Sequence, residues 1–341
     1  METVLGFVPP QRSCVVGEAS QVAAARRTVT DMATALGFDE TATGAAALLV
    51  TEAATNILKH GRHGEVLLRT ARRGGRTGIE IVALDHGSGM ANLAASLADG
   101  TSGAGTYGIG LGAMRRLACE FDIFSAPGKG TVLYMLAWPD RSCPAPDRLE
   151  SGVVCLPLPS ETVCGDSWAL ACAPTQVTAL LADGLGHGPD AAAASEEAAR
   201  VLERAPALPP ATLLADAHAA LRASRGAALA VAHIDAHAEE LRFAGVGNIA
   251  AHWFNGTERK QLVSHNGIVG SNLRKVQEFT MPWHSGAMLI LHSDGLGTRW
   301  DLDAYPGLAH KHPAIIAAVL YRDFCRKRDD VTVLVLRDSG H

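Results

Sequence analysis

Short acidic motifs in the C-terminal half of the chain hold the residues best suited to bind metal ions. They are Gly165-Asp166, Asp183-Gly184, Asp294-Gly295 and Asp329-Asp330. An isolated Asp-Gly pair most often marks a turn. Asp183 and Asp294, however, follow apolar segments that we predict to be strands, and all four motifs lie among apolar or glycine residues. Carboxylates that converge from strand ends repel one another, and hard divalent cations relieve that repulsion. The set therefore predicts a metal site.

A second candidate site begins on a helix predicted over about residues 40–60. Glu52 and Asn56 are four residues apart, and Lys59 or His60 follows three or four residues later, so these side chains share one helix face. Most other positions of the segment are apolar. The pattern fits either a solvated polar stripe or a carboxylate and carboxamide that contact a ligand.

Glycine-rich turns follow this helix along the chain. An apolar strand ends at Asp85, and Gly87 and Gly89 permit a tight turn and a close backbone approach to a ligand. A glycine ladder over residues 105–112 precedes a predicted helix, whose N-terminus attracts anions. A dinucleotide-binding fold is not indicated, because the ladder does not directly follow a strand. The last motif, residues 128–131 (Gly-Lys-Gly-Thr), lies on a predicted hairpin.

In this order, the four motifs resemble the N, G1, G2 and G3 boxes of the GHKL ATPase/kinase superfamily. The match covers about residues 15–138 and is most similar to the RsbT- and RsbW-type serine kinases and anti-sigma factors. The resemblance implies a Mg-ATP-binding, two-layer α/β sandwich. It also implies that Asn56 holds Mg²⁺ against the phosphates. Asp85 would accept a hydrogen bond from the adenine amino group, with Thr131 assisting through water.

The same resemblance implies roles for the remaining residues of these motifs. The backbone would approach the nucleotide at Gly87 and Gly89, and the phosphate lid would contain Gly108, Gly110 and Gly112. Glu52 would be the catalytic base, which agrees with its chemistry, because a carboxylate near the γ-phosphate can accept the proton of an attacking serine hydroxyl. Whether Lys59 or His60 contacts the ligand stays open.

The C-terminal motifs resemble the SpoIIE/RsbU/RsbX branch of the metal-dependent PPM serine/threonine phosphatases over about residues 151–337. The resemblance implies an α-β-β-α sandwich with a two-metal site, for Mn²⁺ or Mg²⁺, that hydrolyses phosphoserine or phosphothreonine. The implied ligands are Asp183, the catalytic residue that bridges the ions, the Gly184 carbonyl, Asp166, Asp294 and Asp329. Asp329 is chosen over Asp330 because the family's metal ligand is the first residue of the pair.

Two features near these motifs bear on catalysis. His187, within the sequence ADGLGHGP, is either an acid for the leaving serine oxygen or a surface residue of the glycine turn. Larger PPM enzymes carry an early basic residue that binds phosphate, and nothing equivalent lies between Ser151 and Asp166. We therefore expect phosphate binding to depend on the metal ions and on substrate docking.

The composition of the whole chain narrows the class of protein. The 341 residues carry a formal net charge of −5 and no long basic run, so neither nucleic acid nor an anionic membrane is an expected partner. No apolar stretch reaches the ~18 residues of a membrane span. The seven cysteines are an odd number without CxxC spacing, which favours free thiols in a cytoplasmic protein.

A segment with three prolines divides the two motif sets. We therefore predict a GHKL domain over residues 1–138, a linker over 139–150 and a phosphatase domain over 151–341. The predicted fold class is α/β, in the α+β sense, with a two-layer GHKL sandwich followed by a PPM-type α-β-β-α sandwich.

Both motif sets in one chain lead to a hypothesis about function. We expect a bifunctional bacterial signalling switch that phosphorylates STAS-domain partners of a stress-signalling complex and removes the phosphate again. One alternative is an ATP-binding anti-sigma factor that sequesters a sigma factor. Another is an ATP sensor that regulates the phosphatase domain. Related ATP-binding modules often dimerise, so a homodimer is also considered.

Overall fold

The chain forms two compact units. The computed structural model describes residues 3–5, 8–93, 97, 110–140, 142–145, 147–273 and 276–340. The first unit contains Gln11–Ala145 and Leu302–Arg322. The second unit contains Met1–Pro10, Pro146–Asp301 and Asp323–His341. Each unit is therefore assembled from segments that are separated in the sequence.

Helices and strands are both frequent among the described residues. The α-helices are α1 (Ala19–Ala35), α2 (Glu40–His60), α3 (Leu111–Leu117), α4 (Pro189–Arg204), α5 (Pro210–Ala220) and α6 (Pro313–Phe324). The strands are β1 (Thr3–Leu5), β2 (Arg12–Val16), β3 (Gly64–Arg73), β4 (Arg76–Asp85), β5 (Glu120–Ser125), β6 (Thr131–Ala137), β7 (Leu149–Leu156), β8 (Asp166–Cys172), β9 (Gln176–Gly184), β10 (Ala227–Asp235), β11 (Glu240–Val246), β12 (Ala250–Asn255), β13 (Glu258–Leu262), β14 (Phe279–Pro282), β15 (Met288–His292) and β16 (Val331–Asp338). None of these helices is long and apolar enough to cross a membrane.

The first unit is built on an antiparallel sheet with α1 and α2 on one face. The strand order is β2-β3-β4-β6-β5. α2 begins after Asp39, whose side chain accepts a hydrogen bond from the Ala42 amide at 2.7 Å. Its many alanines let it lie close to the sheet, where Leu49 and Ile57 join the core with Ile81. The opposite side of α2 is left for polar residues.

The second face of this sheet is also buried. Its side chains include Leu67, Val82 and Tyr134, each at most 2% exposed. Residues of Leu302–Arg322 pack against it, since the His312 ring stacks on Tyr134 with 3.8 Å between ring centroids. This segment falls within residues 151–341, the predicted phosphatase domain, and the structure groups it with the first unit.

The second unit contains two antiparallel sheets that enclose a core. Their strand orders are β1-β8-β9-β10-β11-β14 and β13-β12-β15-β16-β7. Trp168, Phe243 and Trp253 lie in the core between them. Helices α4 and α5 cover the outer face of the first sheet through a second core of Ala, Leu and Val residues. The predicted α+β class is confirmed in both units.

β13 (Glu258–Leu262) has a sequence that does not predict a strand. In β13 only the last residue is buried, so the strand lacks the apolar alternation by which strands are recognised. It pairs along one edge with β12, and that pairing depends on the partner strand rather than on its own pattern.

The prediction that all cysteines are free thiols is wrong for one pair. Cys119 and Cys143 form a disulfide between positions 24 residues apart. The other five cysteines, all among the described residues, form no disulfide bond. The bonded pair has no motif spacing, so the sequence carried no signal for it.

Candidate nucleotide and metal sites

Helix α2 carries the first group of predicted site residues. Glu52 and Asn56 lie one helical turn apart and are both half-buried. Ile57 is buried in the core, which directs the polar pair away from the sheet centre. Lys59 and His60 are exposed in the last turn. The structure therefore brings Glu52 and Asn56 onto one helix side, as their spacing requires.

The turn after β4 is held by the side chain of Asp85. Its Oδ1 accepts hydrogen bonds from the Gly87 amide at 2.7 Å and from the Thr131 amide at 3.2 Å. A Cβ at Gly87 would clash with the His60 carbonyl. Gly89 has φ +67° and a Cβ there would clash with the Ala126 carbonyl, so both positions require glycine. The end of α2, this turn and the hairpin are therefore in direct backbone contact.

Ser125 supports the same turn and was not predicted as a site residue. Its hydroxyl donates to the Gly130 carbonyl at 3.0 Å and accepts from the Met90 amide at 3.0 Å. It also lies 3.0 Å from the Thr131 hydroxyl. Ser125 is the cross-strand partner of Thr131 in the β5–β6 pair, and that pairing was the one available signal.

The predicted phosphate lid is described only in part. Gly108 lies outside the described residues. Gly110 is exposed and directly precedes α3, and its carbonyl accepts from the amides of Ala113 and Met114 at 2.9 and 3.2 Å. Gly112 lies in the first turn of that helix. The glycine ladder therefore leads into a helix, as expected.

In the second unit, the predicted carboxylates lie at strand ends. Asp166 begins β8 and is the cross-strand partner of Asp183 near the end of β9. Asp294 follows β15 by two residues, and Asp329 precedes β16 by two. β15 and β16 are antiparallel neighbours, so the end of β15 and the start of β16 lie at the same end of the sheet.

The carboxyl groups of this set affect one another's ionisation. Burial raises the pKa of Asp183 to about 9, with further increases from Asp166, Asp294, Asp329 and Asp330. The pKa of Asp166 is also raised, first by burial. Such shifts mean that the negative forms repel one another in a poorly solvated place. A cation bound among them would reverse this preference.

The donor set fits hard divalent ions, although its side chains do not form a finished ligand shell. Among the described residues, no three His, Cys, Asp or Glu side chains already cluster closely enough to hold one ion. The other carboxylates nevertheless all raise the pKa of one residue, Asp183. In addition, Oδ2 of buried Asp330 has no hydrogen-bond partner. Oxygen-only donors with excess negative charge are what Mg²⁺ and Mn²⁺ bind.

Ser293 holds Asp166 in place and was not predicted as a site residue. Its hydroxyl donates to Asp166 Oδ2 at 2.6 Å and accepts from the Thr332 amide at 2.9 Å. All three residues are buried, so the hydrogen bonds are shielded from water. Ser293 directly precedes Asp294 and thereby connects two predicted metal ligands.

Asn248 and Gly184 fix other parts of the site. Asn248 Nδ2 donates to Asp294 Oδ2 at 2.7 Å. Asn248 was not predicted as a site residue. A Cβ at Gly184 would clash with the Ala191 carbonyl of α4. The glycine therefore lets α4 pack against the end of β9, beside Asp183.

Asp329 and Asp330 have different environments. Asp330 is 3% exposed, and its Oδ1 accepts from the Leu158 amide at 2.8 Å. Asp329 is more exposed, and its Oδ1 accepts from the Asp330 amide at 2.9 Å. Burial raises the pKa of both carboxyls. Asp330 thus connects the segment after β7 to the start of β16, which leaves Asp329 the more accessible carboxylate.

His187 has a carboxylate partner that the sequence did not reveal. Its Nδ1 lies 2.8 Å from Glu161 Oε1, and the imidazole is 62% exposed. Twenty-six residues separate the two, so no local pattern pointed to the pair. A carboxylate at Nδ1 fixes the tautomer and orientation of an imidazole.

Two family models match separate parts of the chain. The family model for the histidine kinase-like ATPase domain matches residues 15–137. The model for Stage II sporulation protein E (SpoIIE) matches residues 173–338. The chain is thus an enzyme that combines a kinase-like ATPase domain with a SpoIIE-type PPM serine/threonine phosphatase domain.

A known relative identifies the family of the first domain. The serine/threonine-protein kinase RsbT of Bacillus subtilis (strain 168) is 30% identical over 117 residues, which are 34% of this chain and 88% of RsbT. The chain therefore belongs to the RsbT family of histidine kinase-like ATPases. The resemblance inferred from the N, G1, G2 and G3 motifs is confirmed.

Solved structures resemble about half of the chain. A chain from a study of the bacterial stressosome, a modular system adapted to control secondary messenger signaling, is 26% identical with a TM-score of 0.52, covering 55% of this chain and 99% of that one. RsbX in complex with magnesium is 21% identical with a TM-score of 0.51, covering 55% of this chain and 94% of RsbX. The latter shows a shared fold.

Proposed function

We propose that this chain sets the phosphorylation level of a STAS-domain partner by two opposed reactions. The N-terminal domain transfers phosphate from Mg-ATP to a serine or threonine, and the C-terminal domain hydrolyses the product. The observation that carries the proposal is that one chain holds both a nucleotide-type turn around Asp85 and a carboxylate set around Asp183. Each has the chemistry that one of the two reactions requires.

In the nucleotide site, the proposed roles follow from the bonds already described. Asp85 Oδ1 is bonded to the Gly87 and Thr131 amides, so Oδ2 would accept from the adenine amino group. Asn56 would hold Mg²⁺, which neutralises phosphate charge when bound. Glu52, one turn away on the same side of α2, would accept the proton of the attacking hydroxyl. Gly108, Gly110 and Gly112 would border the phosphates.

In the phosphatase site, the carboxylates would hold two Mn²⁺ or Mg²⁺ ions. Asp183 would bridge them beside the Gly184 carbonyl, and Asp166, Asp294 and Asp329 would complete the set. The ions supply charge stabilisation for phosphate-ester hydrolysis. Ser293 orients Asp166, and Asn248 orients Asp294. Glu161 orients His187, which would donate a proton to the leaving oxygen.

The likeness to RsbT and to a stressosome chain supports a STAS-domain protein as the partner. The use of ATP supports the cytoplasmic location expected from the sequence. A homodimer through the ATPase domain stays a prediction.

Phosphate transfer and removal can be tested with two variants. Purified chain is incubated with Mg-ATP, Mn²⁺ and a STAS protein encoded beside this gene, and phosphorylated partner is followed on a phosphate-affinity gel. Asp183→Asn should accumulate phosphorylated partner, because removal is blocked. Glu52→Gln should form far less phosphorylated partner than Asp183→Asn, yet should dephosphorylate partner that was phosphorylated beforehand.

A different result would redirect the interpretation. If Asp183→Asn transfers no phosphate to any such partner, the kinase half of the proposal is refuted. A stable stoichiometric complex with a sigma factor would then support the sequestering function. If wild type leaves phosphorylated partner intact with Mn²⁺ and with Mg²⁺, the phosphatase half is refuted.

A further inference from the structure

Leu185 is an exposed apolar side chain beside the candidate phosphatase site. It directly follows Asp183 and Gly184, which are assigned to the metal ions, and it is 39% exposed. A single exposed leucine is common on protein surfaces. Leu185, however, lies on the turn that carries proposed metal ligands, where the phosphoryl group of a substrate would bind. A large apolar group is therefore available there to the residues next to that phosphoryl group.

The Leu185 side chain is accompanied by Ile268, which is distant in the sequence. Both lie against Gly226, because a Cβ at this glycine would be 3.7 Å from Leu185 Cδ1 and 2.7 Å from Ile268 Cγ2. Ile268 is half-buried, so part of its side chain also faces solvent. Leu185, Gly226 and Ile268 thus form one small apolar surface beside Asp183, which we name the Leu185 surface.

Backbone hydrogen bonds fix the Leu185 surface. The Leu185 amide donates to the Gly226 carbonyl at 3.1 Å. Ala227 and Val269 exchange two backbone hydrogen bonds, of 3.0 and 2.9 Å, and these hold Ile268 beside Gly226. Because the three members are held before any ligand arrives, little conformational entropy is lost when a ligand binds to them.

An ion pair borders the same turn. Arg225 Nη2 lies 2.7 Å from Asp190 Oδ2, and the two side chains are 53% and 69% exposed. A Cβ at Gly186 would lie 3.4 Å from Arg225 Nη1, so the guanidinium is close to the residue after Leu185. The opposite charges of the pair largely cancel, and the border therefore favours neither an acidic nor a basic neighbour. Apolar contact is the preference that this part of the surface can express.

We propose that the Leu185 surface binds an apolar side chain next to the phosphorylated serine or threonine of the substrate. The substrate class is then a phosphoprotein segment with a large apolar residue beside the phosphorylated residue. The inference rests on the proposed phosphatase function and specifies its substrate. Burial of the substrate side chain against Leu185 and Ile268 stabilises the bound state. Since the contact is the same in the bound substrate and in the transition state, it lowers KM and leaves kcat unchanged.

The test compares two phosphoserine peptides of equal length and charge, with the full-length chain, Mn²⁺ and no ATP. One peptide has leucine on both sides of the phosphoserine and the other has serine there, and released phosphate gives kcat and KM for each. The wild type should prefer the leucine peptide about tenfold in kcat/KM, through KM. Phosphonate forms of the peptides, which are not hydrolysed, should show the same preference in Kd by fluorescence anisotropy.

Substitutions on the surface should remove this preference alone. Leu185→Ala and Ile268→Ala should each reduce it to about twofold, and should keep kcat/KM for the serine peptide within about twofold of wild type. Leu185→Met keeps a large apolar side chain and should retain the preference. Leu58→Ala is the matched control and should also retain it, because Leu58 is 38% exposed but belongs to the first unit.

Three results would overturn the inference. The first is equal kcat/KM of the wild type for both peptides, or hydrolysis of p-nitrophenyl phosphate but of neither peptide. The second is an equal loss for both peptides in Leu185→Ala, with a higher Mn²⁺ requirement, which would mean that Leu185 shapes the metal site. The third is the same loss of preference in Leu58→Ala. Each leaves the proposed phosphatase function standing, whereas a chain that hydrolyses none of these esters overturns both.

Discussion

The two candidate sites differ in what holds them together. Around Asp85, the groups are in favourable contact, because one carboxylate oxygen accepts from two amides and glycines let the backbone segments touch. Around Asp183, the groups oppose one another, since neighbouring carboxylates and burial raise its pKa to about 9. The first site is assembled by attraction within the protein and the second only against repulsion.

This difference predicts opposite responses to substitution. A pre-formed site loses affinity when one of its bonds is removed, because the protein had already met the cost of ordering it. A repulsive site loses function when a carboxylate is removed, yet the folded protein gains stability wherever the cation is absent. Function and stability should therefore change together in the first site and in opposite directions in the second.

The largest effect is expected for Asp183→Asn. With Mn²⁺ present, hydrolysis of p-nitrophenyl phosphate should fall on the order of 10⁴-fold, since bound ions supply several kcal/mol of charge stabilisation. In EDTA at pH 8, the same variant should unfold at a higher temperature than wild type, because folding no longer requires the Asp183 carboxylate to take up a proton. A lower unfolding temperature in EDTA would contradict the repulsive picture of this site.

Glu52→Gln is the matching change in the ATPase domain. It keeps the shape of the side chain and removes its ability to accept a proton, so phosphate transfer to the partner should fall about 10² to 10³-fold. The nucleotide Kd should remain within about twofold of wild type, because base recognition is assigned to Asp85. Transfer rates are measured in the Asp183→Asn background to suppress phosphate removal. Unchanged transfer would remove Glu52 from the reaction.

The sequence predicted those parts of the sites whose chemistry requires particular residue types at fixed local spacing. Glu52 and Asn56 are separated by one helical turn, and helix α2 has the predicted bounds 40–60. A Cβ at Gly87 or Gly89 would clash with neighbouring backbone. The two glycines are therefore required by the turn, and their presence in the sequence indicated it. Asp166 and Asp183 could be paired from their places at strand ends, although their cross-strand register could not be predicted.

Residues that act through long-range contacts left no pattern to recognise. Ser293 meets Asp166 across 127 positions, and Arg322 meets Asp85 across 237. A serine or an arginine has many common uses, so neither type is informative without its neighbours in space. The same holds for the Cys119–Cys143 bond and for the packing of Leu302–Arg322 with the first unit.

A smaller effect is expected for Ser293→Ala in the metal site. The change removes the donor to Asp166 and the acceptor for the Thr332 amide. Residues that orient metal ligands typically contribute 10- to 100-fold to metal affinity, so the Mn²⁺ concentration for half-maximal hydrolysis should rise at least tenfold. Ser195→Ala is the matched control, because Ser195 is also buried but donates only to a carbonyl of its own helix. Equal effects of both variants would assign Ser293 a structural role alone.

The smallest expected effect is the pH dependence of stability without metal, and it tests the repulsion most directly. Asp183 has a pKa of about 9 in the folded protein against 3.8 for the free side chain, so between these values the folded state binds the extra proton. Stability linked to that proton is complete below pH 3.8 and is lost as the pH rises through about 9. In EDTA, the free energy of unfolding should therefore decrease from pH 7 to 8.5, by up to about 1.4 kcal/mol per pH unit.

The range from pH 7 to 8.5 also avoids the pH at which the half-buried His252 changes protonation. The pKa of His252 is lowered to about 4, first by burial, so its contribution changes below pH 7. Urea unfolding at three pH values provides the measurement. Asp183→Asn should reduce the slope, and Mg²⁺ or Mn²⁺ should reduce it in wild type, because a cation favours the ionised carboxylates. If neither the substitution nor the metal ions change the slope, the Asp183 carboxylate binds no such proton. The description of this site as repulsive would then be wrong, and so would its contrast with the Asp85 site.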